Sequence, residues 1–173
     1  MSASEYLKDL IKHRALVAEH ILTITADLNK RAVHHDDSKF SPEEYDAYEE
    51  AFPNLQKYAY GTEEFRAELR KIKPAIEHHY QENDHHPEHF EAGISQMNLI
   101  EIIEMVCDWV AASERSQTDL LKGLEINKER FKINDQLYCI IKNTVIVITG
   151  KNERPDPNTL YPDVLLTGPF SEP

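Results

Sequence analysis

Apolar and polar residues alternate along most of this chain with the period of a helix. Tyr6, Leu10, His13, Val17, His20, Ile24 and Leu28 recur at steps of three and four, which predicts one helix running to about residue 28. Ser2 and Glu5 have capping-box spacing at its start. His13 and His20 fall on the apolar face, where burial is expected. Asn29 begins a short second helix carrying Ala32, Val33, His35 and Asp36. Ser41-Pro42-Glu43-Glu44 reads as a strong helix start, with Ser41 as cap and Glu44 reaching back, and that helix ends near Phe52-Pro53. Thr62-Glu63-Glu64 opens another, which carries Phe65, Leu69, Ile72, Ile76 and His79 and is kinked at Pro74.

Residues 81–90 read as a polar loop. A helix from about Ser95 to Arg115 follows, with Ile100, Ile103, Cys107, Val110 and Ala111 apolar. Asn127 caps a last helix containing Phe131, Leu137, Ile140, Ile141 and Val145, although the β-branched run 144–149 offers a short strand instead. Prolines at 155, 157, 162, 169 and 173 mark an extended tail. The expected fold is all-α: one helical domain over residues 1–150 and a Pro-containing tail over 151–173, with no internal repeat and no linker.

Composition narrows the function. The chain has 173 residues and only 5 glycines, too few for a glycine-rich phosphate loop, a Rossmann unit or a large β-sandwich. Its net charge of -12 argues against non-specific nucleic-acid binding, which needs a basic face. A small phosphorylated substrate is still compatible, if a metal and a few cationic side chains reverse the sign locally. Cys107 and Cys139 sit in apolar helical stretches and read as buried thiols. The N-terminus has no signal-peptide core and no uncharged apolar run is long enough to span a membrane, so the cytoplasm is the default expectation.

Nine histidines change the picture, because they are grouped and none follows residue 89. His35-Asp36 offers adjacent nitrogen and oxygen donors of the kind that hold borderline divalent ions. A polar helix end would carry the same pair, and His13 alone would read as a core histidine satisfied by a hydrogen bond, with His20 competing for its role. Glu104 and Asp108 lie one turn apart among apolar residues, where a buried carboxylate needs a partner. They would equally fit the exposed edge of an amphipathic helix. His78, His79, His85, His86 and His89 are hard to explain by packing; they fit a second metal, a phosphate site or a solvated loop.

Together these segments resemble the HD-domain superfamily of metal-dependent phosphohydrolases. His13-Arg14-Ala15-Leu16-Val17-Ala18 is similar to its first helix, His35-Asp36-Asp37-Ser38-Lys39 to its signature, and Asp108-Trp109-Val110-Ala111-Ala112 to its last ligand helix. The likeness covers about residues 6 to 115. Closest is an uncharacterised family of small HD-like proteins of bacteria and phages. Its pattern joins His-Asp-x-Ser-Lys (35–39), His-x-x-x-Asn-x-His-His-Pro-Glu (79–88) and Glu-Met-x-x-Asp-Trp (104–109).

The resemblance implies His13, His35, Asp36 and Asp108 as ligands of one divalent ion (Mn, Co, Fe, Ni, Zn or Mg). His79, His85 and His86 would bind a second metal or the phosphate. Lys39, His79 and Glu104 are the expected catalytic residues: Lys39 and His79 to neutralise phosphoryl charge, Glu104 to orient a histidine or act as a base. The implied substrate is a nucleotide or other small phosphoester. A non-catalytic, metal-stabilised binding module is the alternative, and a homo-oligomer is compatible with either. The Gly-Tyr-Pro element of the two-metal branch is missing.

Overall fold

The computed structural model describes residues 3–59 and 61–150, and every regular element among them is helical. The order is α1 (Ala3–His34), a 3-10 turn (Asp37–Phe40), α2 (Tyr45–Lys57), α3 (Glu63–Lys71), α4 (Lys73–Glu82), two 3-10 turns (Pro87–His89 and Gly93–Gln96), α5 (Leu99–Ser116), α6 (Leu120–Arg130) and α7 (Asp135–Ile148). The expected all-α class is what the chain adopts. The tail, and the capping role of Ser2, lie outside the described residues.

Several boundaries differ from those the sequence predicts. α1 does not stop at residue 28; it continues without a break to His34. The segment expected as one kinked helix is two, α3 and α4, because the chain turns at Ile72 and Pro74 then sits in the first turn of α4, where its missing N–H costs nothing. Thr62 caps α3 by accepting from Phe65 N. Asn98 and Glu101 make a reciprocal cap that starts α5 at Leu99 rather than Ser95. Asn127 is not a cap: it is buried inside α6, whose cap is Asp119, while Asn134 caps α7 through Leu137 N. The run 144–149 forms no strand, because α7 continues through Ile148.

The described residues fall into two compact units, one up to Met105 and one from Val106 onward. The second is held by an ordinary apolar interior of Val106, Val110, Leu124, Ile133, Tyr138, Cys139, Ile141 and Val145, with Trp109 stacked on Phe131. Cys139 is buried as expected, but Cys107 is exposed, because it points off the apolar stripe of α5. In the first unit the buried apolar set is short: Ala51, Ile72, Ala75 and Met105. Its buried polar set is Glu44, His79, His85 and Glu101. The expectation that His13 and His20 are buried fails: both are exposed, as are their neighbours Leu10, Val17, Ile21 and Ile24 on α1. Periodicity marks an apolar stripe without saying what covers it.

Candidate metal centre

The end of α1 makes the site. Asp36 follows the helix in a left-handed conformation (φ 60°, ψ 20°), which non-glycine residues adopt rarely, Asp and Asn most readily. That single residue reverses the chain. It also brings the Asp36 carboxylate against the end of α4 and the turn after it, where His79, His85 and His86 lie.

Asp36, His79, His85 and His86 each offer one donor atom, and the four atoms lie within 4.8 Å of one another. His79 Nε2 is 2.9 Å from His86 Nε2 and 3.3 Å from Asp36 Oδ1, and His85 Nε2 is 3.5 Å from Asp36 Oδ1. Neighbouring ligand atoms around an ion at 2.0–2.2 Å stand roughly 2.8–3.6 Å apart, octahedral sites at the short end and tetrahedral ones at the long end. The spacing therefore suits a shared divalent ion.

A second observation points the same way. Asp36 Oδ1 and His85 Nε2 are buried polar atoms with no hydrogen-bond partner, and both are members of the cluster. Such atoms are costly unless something satisfies them, and a cation would satisfy both at once. Burial by itself would raise the Asp36 carboxyl, but His85 and the Lys39 ammonium hold its pKa well below the usual carboxylate range. Burial and the Lys39 charge push His79 down, which keeps its imidazole neutral, the form a metal requires.

Two carboxylates hold the rings from behind. Glu44 is completely buried; its two oxygens accept from His78 Nδ1 at 2.8 Å and His79 Nδ1 at 2.9 Å. Donation from Nδ1 leaves the lone pair of His79 on Nε2, toward Asp36. Ser38 Oγ lies 3.1 Å from the same Nδ1 and accepts from Asn83 Nδ2 at 2.7 Å. Glu104 does for the other side what Glu44 does here. Its Oε1 is 2.9 Å from His35 Nδ1 and 3.4 Å from His85 Nδ1. Arg31 donates to Glu104 Oε2 at 2.9 Å and grips Asp84 with two bonds of 2.7 and 3.1 Å. The Asp84 hydrogen bond raises the Arg31 pKa further than burial lowers it. His35, His85 and Glu104 also group as potential donors, but they meet through the Nδ1 atoms, so this grouping positions the rings.

One family model matches residues 2–147, most of the chain, and it describes a family of unknown function, DUF5662. The chain belongs to this family. No curated protein and no solved structure matches it. The match to DUF5662 spans both units and includes every residue of the candidate donor cluster.

Within this DUF5662 chain the expected site residues separate into two groups. Asp36, His79, His85 and His86 come together, with His35 at their edge, its Nε2 3.6 Å from Asp36 Oδ2. Lys39 pairs with Asp36 Oδ2, and its side chain is 40% exposed. His79, expected to meet phosphate, is buried in the donor set. Glu104, expected as base or orienter, is engaged by two imidazoles and Arg31, which fits orientation. His13 does not join them. It lies 22 residues before His35 on a helix unbroken to His34, and at 1.5 Å per residue that is about 30 Å away. His20 is about 20 Å away by the same rise. Asp108 is half-buried one turn beyond Glu104 in α5, falls in the second unit, and is a member of neither donor group.

Sequence reasoning missed Glu44, Arg31 and Asp84. Glu44 was expected to reach back as a helix cap, but it makes no capping bond and faces the histidines. For Asp84 its place directly before His85 was the available signal, and it is a weak one; for Glu44 there was none.

Proposed function

We propose that this chain is a metal-dependent phosphohydrolase acting on a small phosphoester, with a nucleotide as the substrate class that the HD-like pattern suggests. The observation that carries the metal part is the pair of orphaned buried atoms, Asp36 Oδ1 and His85 Nε2, inside a four-donor cluster. The likeness at 35–39, 79–88 and 104–109 supports the reaction class. It does not carry the superfamily's first-helix ligand, since His13 is remote.

Asp36, His79, His85 and His86 would hold the ion, with nitrogen and oxygen donors that suit Mn, Fe, Co, Ni or Zn. When bound, a divalent ion lowers the pKa of a water and draws charge from a phosphoryl oxygen. Lys39 restrains Asp36 through a partly exposed side chain whose ammonium can pair with a phosphoryl oxygen. Glu44 and Glu104 fix ring orientation and tautomer through Nδ1, which makes them positioning residues.

The test is to load the purified full chain with Mn or Co, count the metal, and follow phosphate release from a nucleotide panel. Metal binding with release is the expected result. Metal bound without turnover on any phosphoester would leave a metal-stabilised binding module. No metal bound would end the reading.

A further inference from the structure

Lys39 has a second neighbourhood. Its ammonium lies 5.7 Å from the centre of the Tyr48 ring as well as on Asp36. Beyond it opens a cavity of about 300 Å³ lined by Lys39, Phe40, Tyr45, Tyr48, Glu49 and Phe52. That is the lower end of the range for small-molecule sites.

Four of the six lining residues are aromatic, and the sequence accounts for their placement. Tyr45, Tyr48, Glu49 and Phe52 stand at i, i+3, i+4 and i+7 on one face of α2, and Phe40 follows Lys39 in the 3-10 turn. Phe40 is 77% exposed and Phe52 52% exposed. A cluster of large rings left open to water is costly and marks a binding surface more often than a lone exposed residue does. The groove adjoins the metal centre, because the Tyr48 ring lies edge-on to His79 with centroids 6.2 Å apart. It is also polarised: a cation stands at the Asp36 end, while the Glu49 carboxylate, 3.5 Å from Tyr45 Oη, offers an acceptor elsewhere on the wall.

We propose that this groove is the subsite for a flat aromatic group on the phosphoester, whose phosphoryl end lies at Lys39. This rests on the phosphohydrolase reading and narrows its substrate class to aryl or base-bearing esters. An aliphatic or sugar-only ester would leave the rings of Phe40 and Phe52 in water. A second anionic group would be repelled by Glu49, whereas a ring-borne N–H or O–H would meet an acceptor.

Calorimetric titration of the Mn-loaded full chain with two non-hydrolysable probes, benzylphosphonate and methylphosphonate, tests it without any turnover. The ring should tighten binding by about tenfold, the scale of one favourable aromatic contact. Phe40→Ser with Phe52→Ser should abolish that gain and leave methylphosphonate unchanged. Both side chains are more than half exposed, so the variant keeps its core; Phe40→Ser alone gives the same reading if the pair fails to fold. Equal affinities for the two probes, or a gain that survives the substitutions, would overturn the subsite and leave the phosphate site standing. If neither probe binds, both readings fall together.

Discussion

The two units of this protein are held together by different interiors. Residues 106–150 bury Leu124, Ile141, Val145 and their neighbours, an apolar set that needs nothing added to it. Residues 3–105 bury Glu44, His79 and His85 beside a short apolar set of Ala51, Ile72, Ala75 and Met105, and three buried side-chain atoms there, on Asp36, Ser41 and His85, are unsatisfied. An apolar core is stable because water is excluded from it. A polar interior is stable only when every group is paired, and in the proposed reading a cation would complete this one.

The sharpest way to break that contrast is Asp36→Asn. Asn tolerates the left-handed backbone but replaces an anionic oxygen with a neutral amide. Metal affinity should fall by more than the roughly 100-fold typical of outer-shell changes, read by titration with Co, while helical circular dichroism is kept. Unchanged affinity would show that the donor set is misassigned.

Next comes a paired measurement of thermal unfolding. Leu124→Ala should cost about 2–5 kcal/mol with or without chelator, since the loss is one of packing. Chelation of the unsubstituted protein should remove about 2.7 kcal/mol relative to metal at 100 times its Kd, with hydrogen exchange rising in α4 and the 85–89 turn. Exchange that rises only in α6 and α7 would reverse the assignment.

Glu44→Gln tests the outer layer. It keeps the volume but loses one of the two acceptors that hold His78 and His79, and metal should bind about 10–100-fold more weakly. The smallest effect belongs to His13→Ala, which should leave metal affinity within about twofold, because the α1 rise puts it about 30 Å from the donors. A large loss there would restore the first-helix ligand that the HD-like pattern implies.

These contrasts also explain what could be read in advance. The helical class was legible because period 3.6 persists through every long segment. His35-Asp36 and the 79–86 histidines were legible because dense imidazoles are hard to assign to packing. His13 misled because a spacing of 22 residues fits either two helices folded back or one straight helix, and nothing between residues 28 and 34 breaks the helix. Glu44 escaped notice because a glutamate in a first turn is usually explained by capping. Which carboxylate faces which ring is set by tertiary contacts between segments 34 residues apart, and no local pattern encodes that.

The reversed backbone at Asp36 places a double demand on a single codon. Glycine would make the bend and supply no oxygen; glutamate would supply an anionic oxygen on a longer arm but resist the bend; asparagine would make the bend but supply only a neutral carbonyl oxygen. Among the twenty amino acids only aspartate joins the bend to an anionic oxygen on a short arm, so saturation mutagenesis there should return aspartate first whenever selection is for cation retention, and a broader set including Asn and Gly when it is for folding alone.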